Sequence, residues 1–297
     1  HEWNRTRKSA NFNNIPGKFV TFTGYEWTCS HFNEKPNYGH YNVLYKDDGK
    51  IYPTAEYDSI EKLWQALEKG KALTIPHHPG CKTHPLDWDY FNEDFEPLVE
   101  IFQVRGSYEY DNCPLNPPQY GRKVVKNHSI QDGLKKGYKF GFTAGGEHEG
   151  VGVTAVYADA LNRESIFEAL KKRQVYGTTG DRIVVDFRVN GALMGSEIDL
   201  CPNNIKLSIK IKGTDTIKKI RIVRDNKRVQ QWKDLEQQVE LEWKDRELKN
   251  LKEKDELYYY IVVTQNNGQM AWSSPVFVNL KMINNRKARE EFIKKSV

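Results

Sequence analysis

The pattern that most limits what this chain can fold into is a change of hydrophobic period near Thr178-Thr179-Gly180. From Arg182 onward apolar residues recur at every second position: Ile183, Val185, Phe187 and Val189, then Ile205, Leu207, Ile209 and Ile211, then Ile220 and Ile222. Val239, Leu241 and Trp243 continue it, as do Tyr258, Tyr260 and Val262. Successive side chains of a strand point to opposite faces, so this period marks strands with one buried face. Asn190-Gly191, Asp225-Asn226 and Asn266-Asn267-Gly268 fall between the runs, where hairpins need residues that tolerate positive φ. Residues 181–297 therefore read as an antiparallel β-sandwich domain with a basic tail over 285–295.

Residues 1–180 have another texture. Strands at 18–22, 41–45, 72–75, 98–102 and 138–143 alternate with amphipathic helices over 59–69 and 162–173. Asp58 followed by Glu61 resembles a capping box at the first helix. Strand–helix alternation with short buried strands points to an α/β layer or barrel. The domain boundary is placed around residue 180.

With 38% hydrophobic and 29% charged residues, the composition is that of a globular chain rather than a disordered one. No apolar run approaches the roughly 20 residues a membrane span needs. The net charge of +5 is spread, with Lys and Arg intermixed with Asp and Glu, so the basic tail reads as a solvated face and no nucleic-acid partner is expected. The chain opens at His1 without a methionine or a signal-peptide pattern, which reads as a fragment or processed product and leaves compartment open. Four cysteines, Cys29, Cys81, Cys113 and Cys201, lie far apart without a CxxC pair. That spacing argues against a zinc ribbon or a disulfide-dense scaffold, and leaves long-range disulfides open. Cys81 reads as a packed small hydrophobe.

Four strand ends carry groups that bind metals: Tyr25-Glu26, Gly39-His40, the pair His77-His78 between Pro76 and Pro79, and Gly145-Gly146-Glu147-His148. Taken alone, Glu26 reads as solvated or ion-paired and His40 as a hydrogen-bonded structural histidine. Two imidazoles at one strand mouth are different, because both ring nitrogens of each need partners. The alternating directions of His77 and His78 suggest that one coordinates a metal while the other stands behind it or faces substrate. Together the four ends describe a mixed His/carboxylate shell suited to divalent zinc, manganese or iron. His31 and His84, in polar loops, are expected to be exposed, and the neighbours of His128 give no reason to place it. Arg105, Tyr108 and Arg122 lie in a long loop rich in Pro, Asn and Tyr, where arginine suits an anionic substrate group and a surface salt bridge equally.

Several of these stretches form a recognisable set. They are Val20-Thr21-Phe22-Thr23-Gly24-Tyr25-Glu26-Trp27-Thr28, Gly39-His40-Tyr41-Asn42-Val43, Ile75-Pro76-His77-His78-Pro79, Tyr176-Gly177-Thr178-Thr179-Gly180-Asp181-Arg182-Ile183 and Ala271-Trp272-Ser273-Ser274-Pro275. The set resembles a bacterial family of unassigned function related to the PHP (polymerase and histidinol phosphatase) superfamily. The resemblance implies a distorted (β/α)7 barrel that holds more than one metal ion at its C-terminal strand ends and hydrolyses phosphate esters. By position, Glu26 resembles the superfamily's bridging glutamate, and His78, before Pro79, its His-Pro ligand. Glu147 and His148 stand where an Asp-x-His pair is expected, with a glutamate as the carboxylate and no residue between. The superfamily's opening His-x-His and Asp-His strands are not in this chain.

The expectation is thus an N-terminally incomplete PHP-like (β/α)7 barrel over 1–180, followed by the β-sandwich. Its implied function is a metal-dependent phosphoesterase acting on a small anionic ester. Glu26, His78, Glu147 and His148 would be metal ligands, His77 and His40 ligands or proton-handling groups, and Arg105, Tyr108 and Arg122 substrate-binding. Two rivals stand beside it: a hydrolase of another ester, and a non-catalytic module on a degenerate scaffold that recognises carbohydrate or protein, with Trp232, Trp243 and Trp272 as its aromatic residues.

Overall fold

A computed structural model describes residues 2–29, 37–113, 123–148, 150–200, 205–247 and 256–280. His31, Arg122, Cys201 and the basic tail lie outside the described residues. The first part contains α1 (Glu2–Asn13), β1 (Thr23–Thr28), β2 (His40–Tyr45), α2 (Ile60–Ala66), β3 (Ala72–His77) and β4 (Leu98–Gln103). It continues with β5 (Gly106–Ser107), α3 (Ile130–Lys135), β6 (Gly141–Ala144), β7 (Val153–Val156), α4 (Arg163–Lys171) and β8 (Val175–Thr178). The second part is all strand: β9 (Val184–Val189), β10 (Ala192–Leu193), β11 (Glu197–Leu200), β12 (Lys206–Lys212) and β13 (Ile217–Arg224). β14 (Lys227–Leu235), β15 (Gln238–Lys244), β16 (Glu256–Gln265), β17 (Met270–Ser273) and β18 (Val276–Leu280) complete it.

These elements make a β-rich α/β fold with several antiparallel sheets. β1, β2 and β3 form one antiparallel sheet, and β5, β4 and β6 form another in which β4 and β6 run parallel. Among the described residues the strands fall into separate sheets and do not show the expected (β/α)7 barrel. The reason lies in the connections: the segment between β2 and β3 carries α2, yet β3 returns antiparallel to β2. A helix in a connection is compatible with either strand direction, so alternation alone does not dictate a parallel sheet. Among the described residues of this part, only the β4–α3–β6 passage is a parallel crossover.

Local chemistry shifts several boundaries. At α2 the cap is Ser59, whose side chain accepts from the Lys62 amide at 3.3 Å, while Asp58 pairs with Lys62 Nζ at 2.6 Å instead of capping. At α4 the Asn162 side chain accepts from the Ser165 amide at 2.8 Å, and Phe167, Ala169 and Leu170 turn inward. The first strand runs from Thr23 rather than over 18–22, because its partner β2 pairs in the register Thr23↔Tyr45 to Thr28↔His40. Helix α1 buries no residue fully; it docks through Trp3, whose ring packs edge-on against Tyr25 and Tyr45 while Nε1 donates to the Gly49 carbonyl, and through Arg7 paired with Asp48 at 2.7 Å.

The period-2 runs of β9 and β12 behave as the sequence predicts, whereas the run Tyr258, Tyr260 and Val262 lies on a strand buried on both faces. β12 sits between β9 and β15, with Leu207, Ile209 and Ile211 buried and its lysines outward. Lys206 and Lys210 meet Glu242 and Glu240 across the solvent face at 2.8 and 2.9 Å. Asn190 and Asp225-Asn226 adopt positive φ in the tight turns where the sequence placed hairpins. Each fully buried Ile or Val of this core is worth ~1.5–3 kcal/mol relative to exposure, so inner-face alternation fixes strand register.

The two parts share a sheet across residue 180. β17 pairs with β8, which pairs with β7, within a sheet that also holds β11, β18, β16, β13 and β14. β16 serves both cores by alternation: Tyr260 and Val262 belong to the core that also holds Trp27 and Tyr41, Tyr260 standing edge-on to Phe142, whereas Tyr259, Ile261 and Val263 belong to the core of the second part. A buried carboxylate ties the parts together: Glu109 accepts from Tyr260 Oη and Trp272 Nε1, both at 3.1 Å, and meets Arg221 at 3.2 Å. Cys29, Cys81 and Cys113 are buried free thiols. Among the described residues no helix is long and apolar enough to cross a membrane.

Candidate metal centre

The ends of β1, β2 and β3 come together because their register aligns them. Thr28 opposes His40, and His40 opposes His77, so these residues and Glu26, two positions before Thr28, project from one face of the sheet. Glu26 Oε1 lies 2.5 Å from His40 Nδ1. His78 would point away if the strand continued. Its φ of +37° instead turns the chain, and its ring sits 4.3 Å from that of His77 and 4.7 Å from that of His40, centroid to centroid. The alternating directions expected for the two histidines are thereby cancelled, and both rings enter one cluster.

A second sheet supplies the rest. Glu100, buried in the middle of β4, places Oε2 at 2.8 Å from His77 Nδ1 and accepts from the His78 backbone amide at 2.8 Å. Glu147, in the loop after β6, places Oε2 at 2.5 Å from His77 Nε2 and is also non-glycine at positive φ, +53°. Left-handed backbone at two such residues costs on the order of 1–3 kcal/mol each and persists where surrounding contacts over-determine it. Arg105 reaches both oxygens of Glu147, Nη1 to Oε2 at 3.2 Å and Nη2 to Oε1 at 3.3 Å, and Gln103 Nε2 donates to Oε2 at 3.1 Å. Close approach by the glycine loop makes this possible: a Cβ on Gly145 would lie 2.7 Å from Glu100 Oε1, and one on Gly152 would lie 2.2 Å from the Gly145 carbonyl oxygen.

The electrostatics follow from this packing. Burial works against a charged His77, but Glu100 and Glu147 on either side prevail and push its pKa up to about 10. Burial likewise opposes ionisation of Glu147, yet His77 and Arg105 hold it far below the usual carboxylate range. His78 goes the other way, driven well down by burial and then by its cationic neighbour, so it presents a neutral imidazole. The hydrogen bond from His40 lowers Glu26.

The donor set fits a divalent ion. Oxygen and nitrogen atoms of Glu26, His40 and His78 lie within 4.8 Å of one another, as do those of His77, His78 and Glu147, and His78 is common to both groups. His78 Nδ1 and His40 Nε2 are buried without a hydrogen-bond partner among the described residues, and so is His77 Nδ1, whose 2.8 Å contact with Glu100 is an ion-pair distance without hydrogen-bond geometry. Burying such an acceptor unsatisfied costs ~1–3 kcal/mol, a cost that a coordinated cation removes.

Other residues singled out from the sequence fall as follows. His148 projects into solvent, with Nε2 at 3.4 Å from Glu147 Oε1, outside both ligand groups. Arg105 is buried and engaged with Glu147 rather than open to an incoming anion. Tyr108 is fully buried, its hydroxyl unpartnered among the described residues. His84, expected in solvent, is half-buried with its ring 4.2 Å from that of His40. His128 holds the Leu86 carbonyl oxygen through Nδ1 and belongs to a different contact. Trp272 is fully buried against Phe102, and Trp232 and Trp243 pack partly buried against the sandwich core. Glu100 and Gln103 were not singled out from the sequence. The available signal was a carboxylate at the centre of the apolar run Leu98-Val99-Glu100-Ile101-Phe102, where a charge persists only with partners.

Comparison with known proteins places the chain further. Residues 1–117 and 120–200 match a family described as protein of unknown function (DUF3604). An uncharacterized protein of Chlamydia pneumoniae is 29% identical over 310 residues, covering 94% of this chain and 49% of its own length. An uncharacterized protein of Chlamydia trachomatis serovar D is 30% identical over 305 residues, covering 91% of this chain and 48% of its own. The chain spans about half the length of the curated relatives it matches. Among solved structures, an engineered protein gives a TM-score of 0.22 at 10% identity, covering 62% of this chain and 41% of that one, too little likeness to bear on the fold.

Proposed function

The chain belongs to the DUF3604 family of proteins of unknown function, and on that footing we propose that it carries the metal centre of a hydrolase that cleaves phosphate esters. The observation that carries the reading is the pair of His/carboxylate groups that share His78, with three buried imidazole nitrogens left without a hydrogen-bond partner among the described residues. The resemblance of Glu26 and His78-Pro79 to the bridging glutamate and His-Pro ligand of PHP enzymes supports it. In this reading the two small sheets of residues 1–180 are wall segments of a PHP-like barrel.

Glu26, His40, His77, His78 and Glu147 would hold one or more zinc, manganese or iron ions. A bound ion would supply Lewis acidity and lower the pKa of a coordinated water towards neutrality. The chain's own contribution is positioning. Glu100 sets its charge 2.8 Å from His77 Nδ1, on the side away from the ligand group, and holds the His78 backbone in its turn through the amide hydrogen bond. Arg105 and Gln103 fix the Glu147 carboxylate. In this reading His77 would join the ligand set through Nε2, the nitrogen on the side of Glu147 and His78, with Nδ1 turned to Glu100. Glu26 orients His40 through Nδ1 and leaves its Nε2 buried and free of a hydrogen-bond partner among the described residues.

The test is elemental analysis together with hydrolysis of aryl phosphate mono- and diesters, aryl sulfates and aryl acyl esters. The whole protein and its His78→Ala variant are compared. Bound transition metal and phosphate-ester turnover, both lost in the variant, are expected. Protein that stays metal-free in the presence of zinc, manganese and iron overturns the centre; turnover of acyl or sulfate esters alone overturns the substrate class.

A further inference from the structure

The last turn of α1 and the loop after it hold apolar side chains out in water. Phe12 is 86% exposed, Phe19 60%, Ile15 51% and Leu161, just before α4, 46%. Ile15 and Phe19 exchange backbone hydrogen bonds at 2.7 and 2.9 Å, which closes the turn Pro16-Gly17-Lys18. The Gly17 amide donates to the Leu161 carbonyl at 2.7 Å, so Leu161 belongs to the same tip. We propose that this tip docks the protein onto the surface of a bilayer that contains anionic phospholipid.

The exposure is built into the fold. Thr21 Oγ1 donates to the Ala10 carbonyl at 2.5 Å, and Arg163 donates through Nε to the Thr21 carbonyl at 2.6 Å and through Nη1 to Asn11 Oδ1 at 2.9 Å. Both arms of the tip are thereby tied to each other and to α4. Neighbouring apolar side chains held in water within a polar rim mark an interaction surface.

Charge names the partner. Residues 3–25 contain Arg5, Arg7, Lys8 and Lys18 and no Asp or Glu. Arg7 is paired with Asp48, and Glu164 of α4 is paired with Lys46. Arg5, Lys8 and Lys18 are exposed and make no ion pair among the described residues. Lys8 lies one helical turn before Phe12, and Lys18 sits inside the closed turn. Asp159, two residues before Leu161, is the exposed acid that stands against these three cations.

A groove of about 560 Å³ beside the tip has the same double character. Helix α1 lends it Arg5, Thr6, Ser9 and Asn13, and the chain after the turn lends it Phe19 and Phe22. A cation and hydroxyls facing aromatic rings suit an amphiphile with an anionic head and an apolar tail. A protein partner would need a hollow shaped to the projecting tip, whereas a fluid bilayer closes around it. Its rings would sink to the headgroup boundary while Lys and Arg stay among the phosphates. The tip leads into Thr23 at the start of β1, and the candidate metal centre gathers towards the other end, beside the Thr28–His40 pair, so the two surfaces are distinct.

The test reads binding and not turnover, so its failure and that of the metal centre are separate results. Flotation of the whole protein would use vesicles of phosphatidylglycerol and phosphatidylcholine in equal parts, beside phosphatidylcholine alone, at low and high salt. Binding to the mixed vesicles is expected, about tenfold or more weaker on the neutral ones and loosened by salt. Phe12→Ser and Lys18→Glu, both at exposed positions, should each weaken it about tenfold at an unchanged melting temperature. Val184→Ser, which alters a comparably exposed apolar residue on β9, should leave it unchanged. No vesicle binding, equal binding to neutral vesicles, undiminished binding in Phe12→Ser or an equal loss in Val184→Ser would each overturn the proposal. Self-association without vesicle binding, abolished by Phe12→Ser, would overturn it too and assign the tip to a protein contact.

Discussion

His77 Nε2 lies 2.5 Å from Glu147 Oε2 while His77 Nδ1 lies 2.8 Å from Glu100 Oε2, so one imidazole from the antiparallel sheet is held between two carboxylates of the neighbouring one. The two acids are not equivalent. Glu147 faces His78 and falls within its ligand group; Glu100 sits behind, on the ring nitrogen turned away from that group. An acid in that rear position makes the histidine a better ligand and fixes its direction. Glu100→Gln should therefore weaken zinc or manganese binding by about 10–100-fold without abolishing it, as titration calorimetry would measure. Affinity equal to that of the unaltered chain would remove Glu100 from the centre.

The same acid explains a glycine. A methyl group on Gly145 would stand 2.7 Å from Glu100 Oε1, and Glu100 cannot withdraw without releasing either His77 or the His78 amide. Gly145→Ala is expected to lower metal affinity about tenfold while moving the melting temperature by only a few degrees, since a local shift of a carboxylate costs ~1 kcal/mol in a domain of this size. A large fall in melting temperature with intact metal binding would assign Gly145 to loop folding instead.

How much of this was legible in the sequence depended on the kind of signal. The sandwich strands announced themselves because Leu207, Ile209 and Ile211 alternate with lysines, and side-chain alternation is a local property of a strand. Strand direction in the first part is set by how connections return. The run from His40 to His77 gives no hint that its helix-bearing connection brings β3 back antiparallel. Glu26, His40, His78 and Glu147 were readable as candidate ligands from their places at strand ends. The turn at His78 was not, because positive φ at a histidine is imposed by Glu100 and the surrounding rings rather than by the residue itself. Glu100 stayed hidden inside an apolar run, and His84 looked like a surface residue until the fold brought it against His40.

Glu109 tests whether the two parts unfold together. Its carboxylate is buried and serves Tyr260, Trp272 and Arg221 at once, and all three belong to the sheet that continues through β17 into β8. Removing one partner of a buried ion pair leaves the other groups unsatisfied, at about 3–5 kcal/mol. Glu109→Ala should lower the unfolding free energy by that amount, read as an earlier urea midpoint, with tryptophan fluorescence and far-ultraviolet circular dichroism still falling in one transition. Two separated transitions in either protein would show that the shared sheet does not couple the parts.

Glu96 provides a dependence on pH that lies outside the metal centre. Its carboxyl is buried, and burial raises its pKa well above the ordinary value despite the hydrogen bond it accepts from the Asn92 amide at 3.0 Å. In the unfolded chain the group loses its proton near 4.5, whereas in the folded chain it keeps that proton to higher pH. The folded state therefore binds more protons through that window, and stability falls as pH rises from about 4.5 through the raised native value. Each unit of displacement corresponds to ~1.4 kcal/mol. Glu96→Gln, which retains the shape and an acceptor without the ionisation, should be more stable than the unaltered chain at pH 8, with the difference shrinking as the pH approaches 4. Urea unfolding at several pH values measures it, and a stability difference that does not vary with pH would show that Glu96 is ionised in the folded protein.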